Sequence, residues 1–402
     1  MLQGRRVVVA VCGSIAAYKA AEVVRRLRKD GAVVQVAMTR AATRFITPET
    51  MAALSERPVH TDLFAEPERV LHVELARWAE AYVVLAATAT TISHLATGSA
   101  EDVVSATYLM CRCPVLVAPA MHTEMWEHAA VQRGVERLRS DGVVLIEPEV
   151  GELASGDVGL GRLADPEWIV EEVKASLTPK DLDGLRVLIT SGPTREPLDP
   201  VRFISNRSSG RMGHALAVEA RRRGAEVTVI TGPVVTELPP GIDVVPVETT
   251  QQLLDESLSR FDDCDVAIMA AAVADWRPAD VARSKTKKSE AERNLLLEPT
   301  PDIAAEMGRK KGAQLLVAFA AETEDMVKHA RDKLVRKNAD LIVANLVGRP
   351  GTGFDTDTND AAIVSPESID RLPRMTKAEL ARRIVDRAAE LTRPRGRSDR
   401  LD

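Results

Sequence analysis

The amino-acid sequence predicts an α/β protein of two Rossmann-like, doubly wound domains, each built on a mostly parallel sheet. Three observations carry this reading. Continuous apolar runs at residues 7–11 and 186–189 have the pattern of strands buried on both faces, as in parallel sheets covered by helices. Each run leads through a glycine-bearing turn into a helix and a further strand. The unit recurs in the second half, even to an Arg-rich helix end closed by Gly31 in one copy and Gly224 in the other. Finally, 402 residues exceed the about 100–200 that one domain usually organises.

Residues 7–11 form the first strand. Gly13-Ser14-Ile15 then turns the chain into a helix whose Ala17, Ala20, Val24 and Leu27 fall at helical spacing. Gly31 stops it and residues 33–37 form the next strand, so the crossover is right-handed and the pair parallel. Strands at 82–86, 115–118 and 143–146 follow, with helices between. Asp165 as N-cap and Pro166 at the first helical position open another helix. The hydrophobic pattern lapses at residues 178–184, which reads as a linker between domains 1–178 and 179–402. Strand 185–192, helix 214–223 and strand 226–231 repeat the first unit. Strands 243–247, 266–270, 315–319 and 341–344 then alternate with helices, including 324–336. From Thr392 a charged, Pro/Gly-punctuated tail is expected to be disordered.

Apolar content of 45% with 28% charged residues is that of a soluble globular chain. No apolar run reaches the about 18 residues of a membrane span, and the first strand starts too early for a signal peptide. A net charge of -6 gives no general electrostatic case for nucleic acid. Cys12, Cys111, Cys113 and Cys264 are too few and too oddly spaced for a disulfide framework, which favours a reducing, cytoplasmic compartment. Cys111 and Cys113 stand too close together, with no second ligand pair, for a structural metal site, and no metal ligands are assigned elsewhere.

Residues 190–213 connect a strand to a helix over far more than the about 2–6 residues usual for such a turn. Their prolines, serines and glycines leave backbone N–H groups free. Ser208, Ser209 and Gly210 sit at the helix start, where the dipole and unpaired N–H groups favour a phosphate or carboxylate. Arg195, Arg202 and Arg207 add fork-shaped donors for the same anions. In the first half, Gly13, Ser14 and Thr39 ring the crevice beyond the carboxyl ends of the strands. The turn lacks a full G-x-G-x-x-G, and Met38-Thr39-Arg40 stands where a ribose-binding acid belongs. Arg40 answers a 2′-phosphate, so an NADP-type site stays open. His72, beside the stripe Leu71, Leu75 and Trp78, reads by itself as a structural histidine. Asp275 ends a buried strand at the crevice of the second half. Lys285-Thr286-Lys287-Lys288 reads equally as a solvated loop or an anion site.

The run 189–213 closely resembles the signature of the ligase half of the bacterial bifunctional phosphopantothenoylcysteine decarboxylase/phosphopantothenate–cysteine ligases of coenzyme A biosynthesis. The resemblance covers about residues 4–391. It implies FMN held by Gly13, Ser14 and Ile15, by Thr39, and by a second loop at Thr88, Ala89, Thr90 and Thr91. Ala87 and Thr90 replace that loop's usual proline and asparagine. His72 matches the family's substrate-engaging histidine, typically acting across a subunit interface. Pro119-Ala120-Met121-His122-Thr123-Glu124-Met125-Trp126 resembles the substrate motif, with His122 in place of asparagine. Residues 154–163 resemble the substrate flap, where Ser155, followed by Gly156 and Asp157, replaces the cysteine assigned to protonate an enethiolate. A thiol has a pKa of about 8.5 and an alcohol is a far weaker acid, so the proton must come from His122, Asp157 or water. His122, with an ordinary pKa of about 6.5, is the best matched.

In the second half Lys285, Lys287 and Lys288 resemble the family's nucleotide loop. Thr300-Pro301-Asp302-Ile303 resembles the cytosine-contact turn, and residues 318–323, with Phe319, resemble Gly-Phe-Ala-Ala-Glu-Thr with Ala318 for the glycine. Lys333, Lys337 and Asn338 match the next basic segment, and Phe354 and Asp357 a late turn. The resemblance implies CTP bound by these residues with Ser208, Ser209, Gly210 and Asp275. It also implies a magnesium ion, Lys285 against charge on the α-phosphate and Asn206 on the acyl cytidylate. Small-molecule substrates and a homo-oligomer follow, with trimers of the flavin half and dimers of the ligase half, which together allow a dodecamer. The alternatives are a working ligase with an altered or silent decarboxylase half, and a non-catalytic flavin-binding regulatory protein.

Overall fold

The computed structural model describes residues 2–65, 68–286, 294–322, 326–346 and 358–392, and of these Glu322 and Leu346 by backbone alone. Lys287, Lys288, Thr323, Phe354, Asp357 and the tail after Thr392 lie outside them, as does Glu324 of the expected helix, observed as Met326–Arg336. The chain separates into two compact units, Met1–Thr178 and Pro179–Asp402.

In the first unit six parallel strands stand in the order Val59–His60, Val33–Met38, Arg6–Val11, Ala81–Ala87, Val115–Pro119 and Val144–Leu145. The winding reverses between Arg6–Val11 and Ala81–Ala87, which opens a crevice at their carboxyl ends. The apolar runs are continuous because both faces of this sheet are covered. Val7, Val9 and Val11 pack with Val24, Leu27 and Ile169 on one face, while Val8, Ala10 and Val84 pack with Leu75, Ile92 and Val135 on the other. Each such fully buried side chain contributes about 1.5–3 kcal/mol, so covering two faces, rather than local propensity, holds these strands.

The second unit has an eight-stranded sheet in the order Asp243–Pro246, Glu226–Thr231, Arg186–Ser191, Val266–Met269, Leu315–Glu322, Leu341–Leu346, Ala361–Val364 and Ile369–Arg371. The first six strands are parallel. The last two are antiparallel, an edge the sequence pattern did not reveal because the strands are short. The helix Lys377–Thr392 buries Leu380, Ile384 and Val385 on this sheet beside Leu216 and Ala217. Thr392, read as the start of a disordered tail, therefore ends a packed helix, its hydroxyl donating to Ala388 O at 3.1 Å. The expected linker is also partly packed. Leu182 is buried, and Asp181 accepts from the buried Arg223 guanidinium, which also reaches Asp386 at 2.6 Å. Polar pairing orders a stretch that carries no apolar period.

Candidate active sites

In the first unit a cavity of 670 Å³ lies at the crevice, with Gly13, Ser14, Ile15 and Thr88 on its wall together with His122 and Ser155. Ser14 Oγ accepts from Ala16 N at 3.4 Å, and Thr88 Oγ1 accepts from Thr91 N at 3.2 Å, so both cap helical turns. A Cβ on Gly13 would stand 2.3 Å from Ala41 Cβ, so only glycine lets the turn pass there. Thr39, Ala89, Thr90 and Thr91 are not on the wall. Thr39 Oγ1 accepts from Ala42 N at 3.2 Å, and the other three form the first turn of the helix Ala89–Thr97. They shape the turns that do form the wall. His72, half-buried on the helix Leu71–Trp78, also lies outside the cavity of its own chain. Lys19 and Arg162, which lie within the resembling motifs but were not singled out as site residues, are also on the wall. Burial, followed by the nearby Arg162 charge, lowers the Lys19 ammonium below its ordinary pKa.

The expected flap is an antiparallel hairpin, Glu149–Glu152 with Val158–Arg162, and Gly156 in its turn has a φ of 92°. It lies against the segment after the strand Val115–Pro119: Met121 N donates to Gly161 O at 3.0 Å, and a Cβ on Gly161 would stand 2.1 Å from Met121 O. That close approach brings the flap onto His122. His122 Nε2 stands 3.0 Å from Ser155 Oγ and 3.2 Å from Asp157 Oδ2, and Ser155 Oγ donates to Asp157 Oδ2 at 2.9 Å. His122 Nδ1 is bonded to Glu124. The Glu124 and Asp157 carboxylates raise the imidazole above its ordinary pKa, while the hydroxyl of Ser155 and then His122 hold Asp157 below the usual carboxylate range.

In the second unit a cavity of 400 Å³ collects the expected residues from separate segments of the chain. Asn206, Ser208, Ser209 and Gly210 come from the long connection, Asp275 from the loop after the strand Val266–Met269 and not from its end as the sequence pattern placed it, Pro301, Asp302 and Ile303 from the next turn, Phe319 from a strand, and Lys333 and Lys337 from a helix end. Gly210 caps the helix Arg211–Arg222, three residues earlier than the sequence spacing placed its start. Asn206 Nδ2 donates to Val273 O at 2.7 Å. Asp302 caps the helix Ile303–Lys310 and accepts from Lys337 Nζ at 3.0 Å. Burial raises the Asp302 carboxyl, but the Lys337 ammonium together with the Ala305 N–H and the Arg336 charge leaves the pKa below the ordinary value.

The three arginines expected to bind the anion are not on this wall. Arg195 lies over the Phe203 ring at 4.6 Å, and Arg202 donates to Asp199 within the loop at 3.5 Å. The pairing of Arg195–Pro197 with Phe203–Ser205 turns that loop in on itself, and Lys333, Arg336 and Lys337 supply the positive charge instead. Lys285 is exposed and off the wall; its neighbour Thr286 donates from N to Asp199 Oδ2 at 3.2 Å. Asn345, Asn359 and Lys377, all buried, do line the cavity. Asn345 lies on the parallel strand Leu341–Leu346, Asn359 on the short strand Thr358–Asn359 and Lys377 at the start of the last helix, and the sole local signal was a polar residue at the end of an apolar strand. Among the described residues no group of three or more His, Cys, Asp or Glu is arranged to hold a metal ion, and Cys111 and Cys113 are free thiols.

Comparison with known proteins agrees with this division. Residues 1–178 match the Flavoprotein family model, and residues 182–391 match the DNA/pantothenate metabolism flavoprotein C-terminal domain. The chain is 44% identical over 403 residues to the coenzyme A biosynthesis bifunctional protein CoaBC of Bacillus subtilis (strain 168), covering 98% of this chain and 99% of that protein. It is also 44% identical over 400 residues to the CoaBC of Mycobacterium bovis, covering 95% and 96%. A cysteine/cysteine sulfinic acid decarboxylase from an unknown prokaryotic organism is 47% identical over 352 residues, 85% of this chain and 98% of the relative. Among the described residues no helix is long and apolar enough to cross a membrane. Fold and crevices define the class, an α/β enzyme of two units with a ligand cavity in each. The chain belongs to the family of coenzyme A biosynthesis bifunctional proteins.

Proposed function

We propose that the two activities of this coenzyme A biosynthesis enzyme divide between its two units. Residues 179–402 join cysteine to 4′-phosphopantothenate through an acyl cytidylate made from CTP. Residues 1–178, holding FMN, decarboxylate the phosphopantothenoylcysteine to 4′-phosphopantetheine. The observation that carries this is that each unit gathers part of its own motif set around its own crevice. In the second, a helix N-terminus at Gly210 and the cations Lys333, Arg336 and Lys337 ring one cavity, which suits a triphosphate. Asn206, tethered to Val273 O, is assigned to the mixed anhydride, and Lys285 to charge developing on the α-phosphate. A magnesium ion would arrive on the phosphate oxygens, with Asp275 as a carboxylate of the wall.

The first cavity fits a flavin mononucleotide. Ser14 and Thr88 cap helical turns at the phosphate end with the Lys19 cation on the same wall, while exposed Ile15 and Met125 offer apolar surface to a flat ring. When bound, FMN takes two electrons from the cysteine end of the substrate and returns them. His72, outside its own chain's cavity, is assigned to the substrate of a neighbouring subunit, which requires a homo-oligomer, with trimers of this half and dimers of the ligase half. The compartment proposed is the cytoplasm.

A second reading, a working ligase with an altered or silent first half, is favoured by His122 and Ser155 standing where the family has asparagine and cysteine. One incubation separates the two. The protein with 4′-phosphopantothenate, cysteine, CTP and magnesium should yield pyrophosphate, carbon dioxide and 4′-phosphopantetheine by mass. Phosphopantothenoylcysteine accumulating without carbon dioxide selects the second reading, and no pyrophosphate sinks both.

A further inference from the structure

His122 is bonded at both ring nitrogens, and the two bonds differ in kind. Nδ1 meets Glu124, two residues along on the same segment, in the helix Thr123–Glu127 that begins directly after His122. This partner lies on the same segment as His122, so the contact does not reach across to the hairpin. Nε2 meets Ser155 and Asp157, both on the hairpin Glu149–Arg162, at 3.0 and 3.2 Å. His122 and Ser155 line the cavity, whereas Glu124 does not.

We propose that Glu124 is a positioning residue that holds the Nδ1–H of His122, so that the proton delivered to the substrate is the one on Nε2. The inference rests on the decarboxylase reading and adds which nitrogen gives the proton and what keeps it charged. A carboxylate fixed on one imidazole nitrogen sets the tautomer and stabilises the imidazolium, leaving the other nitrogen to exchange its proton. The step balances without a further reagent. The Nε2–H bond breaks and its electron pair stays on nitrogen. The C=C pair of the enethiolate forms the new C–H bond at the carbon that lost carbon dioxide, and a sulfur lone pair closes C=S. FMN, when bound and reduced, would supply the hydride that completes the C–H bond at that C=S carbon and leaves the sulfur as thiolate. Ser155, which already donates to Asp157, acts here as the resting partner of Nε2 and not as the acid.

The charged groups around the imidazole are Glu124 on its own segment and Asp157 on the hairpin, with Lys19, Glu152 and Arg162 on the same cavity wall. The test is a pH titration of ¹⁵N-histidine-labelled full-length protein by NMR, with the His122 signal assigned by its loss in His122→Gln. It is read beside the pH profile of carbon dioxide release. In the parent protein Nδ1 should stay protonated through the titration, and the midpoint should lie above the ordinary value of about 6.5. Glu124→Gln should move that midpoint down and shift the high-pH limb of carbon dioxide release down with it, while Glu124→Asp should restore part of both. An unmoved midpoint in Glu124→Gln overturns the proposal, as does a moved midpoint with an unmoved rate profile. A parent protein that releases no carbon dioxide defeats the decarboxylase reading instead, and the proton assignment with it, whatever the titration shows.

Discussion

The two cavities are built on the same plan and held differently. In the ligase unit one pair is buried, Asn359 accepting from Lys377 at 3.1 Å, while the exposed Asp302 and Asn206 are held by Lys337 Nζ and Val273 O. In the flavoprotein unit the chemistry sits where a hairpin touches a short helix, with Glu124 and Asp157 largely in solvent. Buried partners tolerate little substitution, because removing one leaves another polar group without water or protein to satisfy it. An exposed cluster can exchange asparagine for histidine and cysteine for serine at small cost in stability. Two of this chain's departures from its family's pattern, His122 and Ser155, lie there, whereas Ala87 and Ala318 replace the usual proline and glycine at buried positions.

The contrast can be broken most sharply by function. His72→Asn should reduce carbon dioxide release by about 10²–10⁴-fold, the range for losing a general acid or base, and leave pyrophosphate release intact. Equal loss of both would make His72 structural. Next, Asn206→Asp should stall turnover of the acyl cytidylate and Lys285→Gln its formation, each by about 10²–10³-fold in pyrophosphate-coupled turnover. Normal pyrophosphate release in Lys285→Gln would refute its role, a pointed test because Lys285 lies off the cavity wall.

Stability should distinguish the two regions as well. A Cβ at Gly308 would stand 1.8 Å from Lys337 O, and Asn338 Nδ2 donates to Gly308 O at 2.8 Å, so this helix and the Lys337 segment are in direct contact. Gly308→Ala should cost about 1–3 kcal/mol by overpacking and lower the melting temperature of the ligase unit by about 2–4 °C per kcal/mol. An unchanged melt would mean the contact is looser than its geometry.

The smallest effect is expected at His122, whose pKa is raised first by Glu124 and then by Asp157. A raised folded pKa contributes stability that is fully present below the unfolded value of about 6.5 and is lost as pH rises through the folded value. His122→Gln should therefore narrow the difference in melting temperature between mildly acidic and mildly alkaline buffer. A wider difference would reverse the sign. Ser155→Ala should keep most decarboxylase activity, and a trapped, decarboxylated intermediate in that variant would make the serine the acid.

What the sequence by itself determined is what short-range pattern can encode. The continuous apolar runs specify strands covered on both faces, Asp165 and Pro166 open a helix in the structure as their types require, and the parallel cores lie where those runs are. The motifs at Gly13, Ser14 and at Ser208 to Gly210 were legible because helix starts at strand ends bind anions for local reasons. What only tertiary structure decided is who meets whom. Arg195 and Arg202 carry the right chemistry for an anion yet turn to Phe203, Asp199 and Thr286 O, while Asn359 and Lys377 reach the cavity from a short strand and a helix start with no local signature. Thr39 and Thr91 build turns beside the wall, and His122 meets Glu124 at Nδ1 while the hairpin occupies Nε2. Periodicity records which face of an element is apolar, whereas the convergence of side chains depends on strand order and on close backbone approaches such as that of Gly161 to Met121, which no single segment contains.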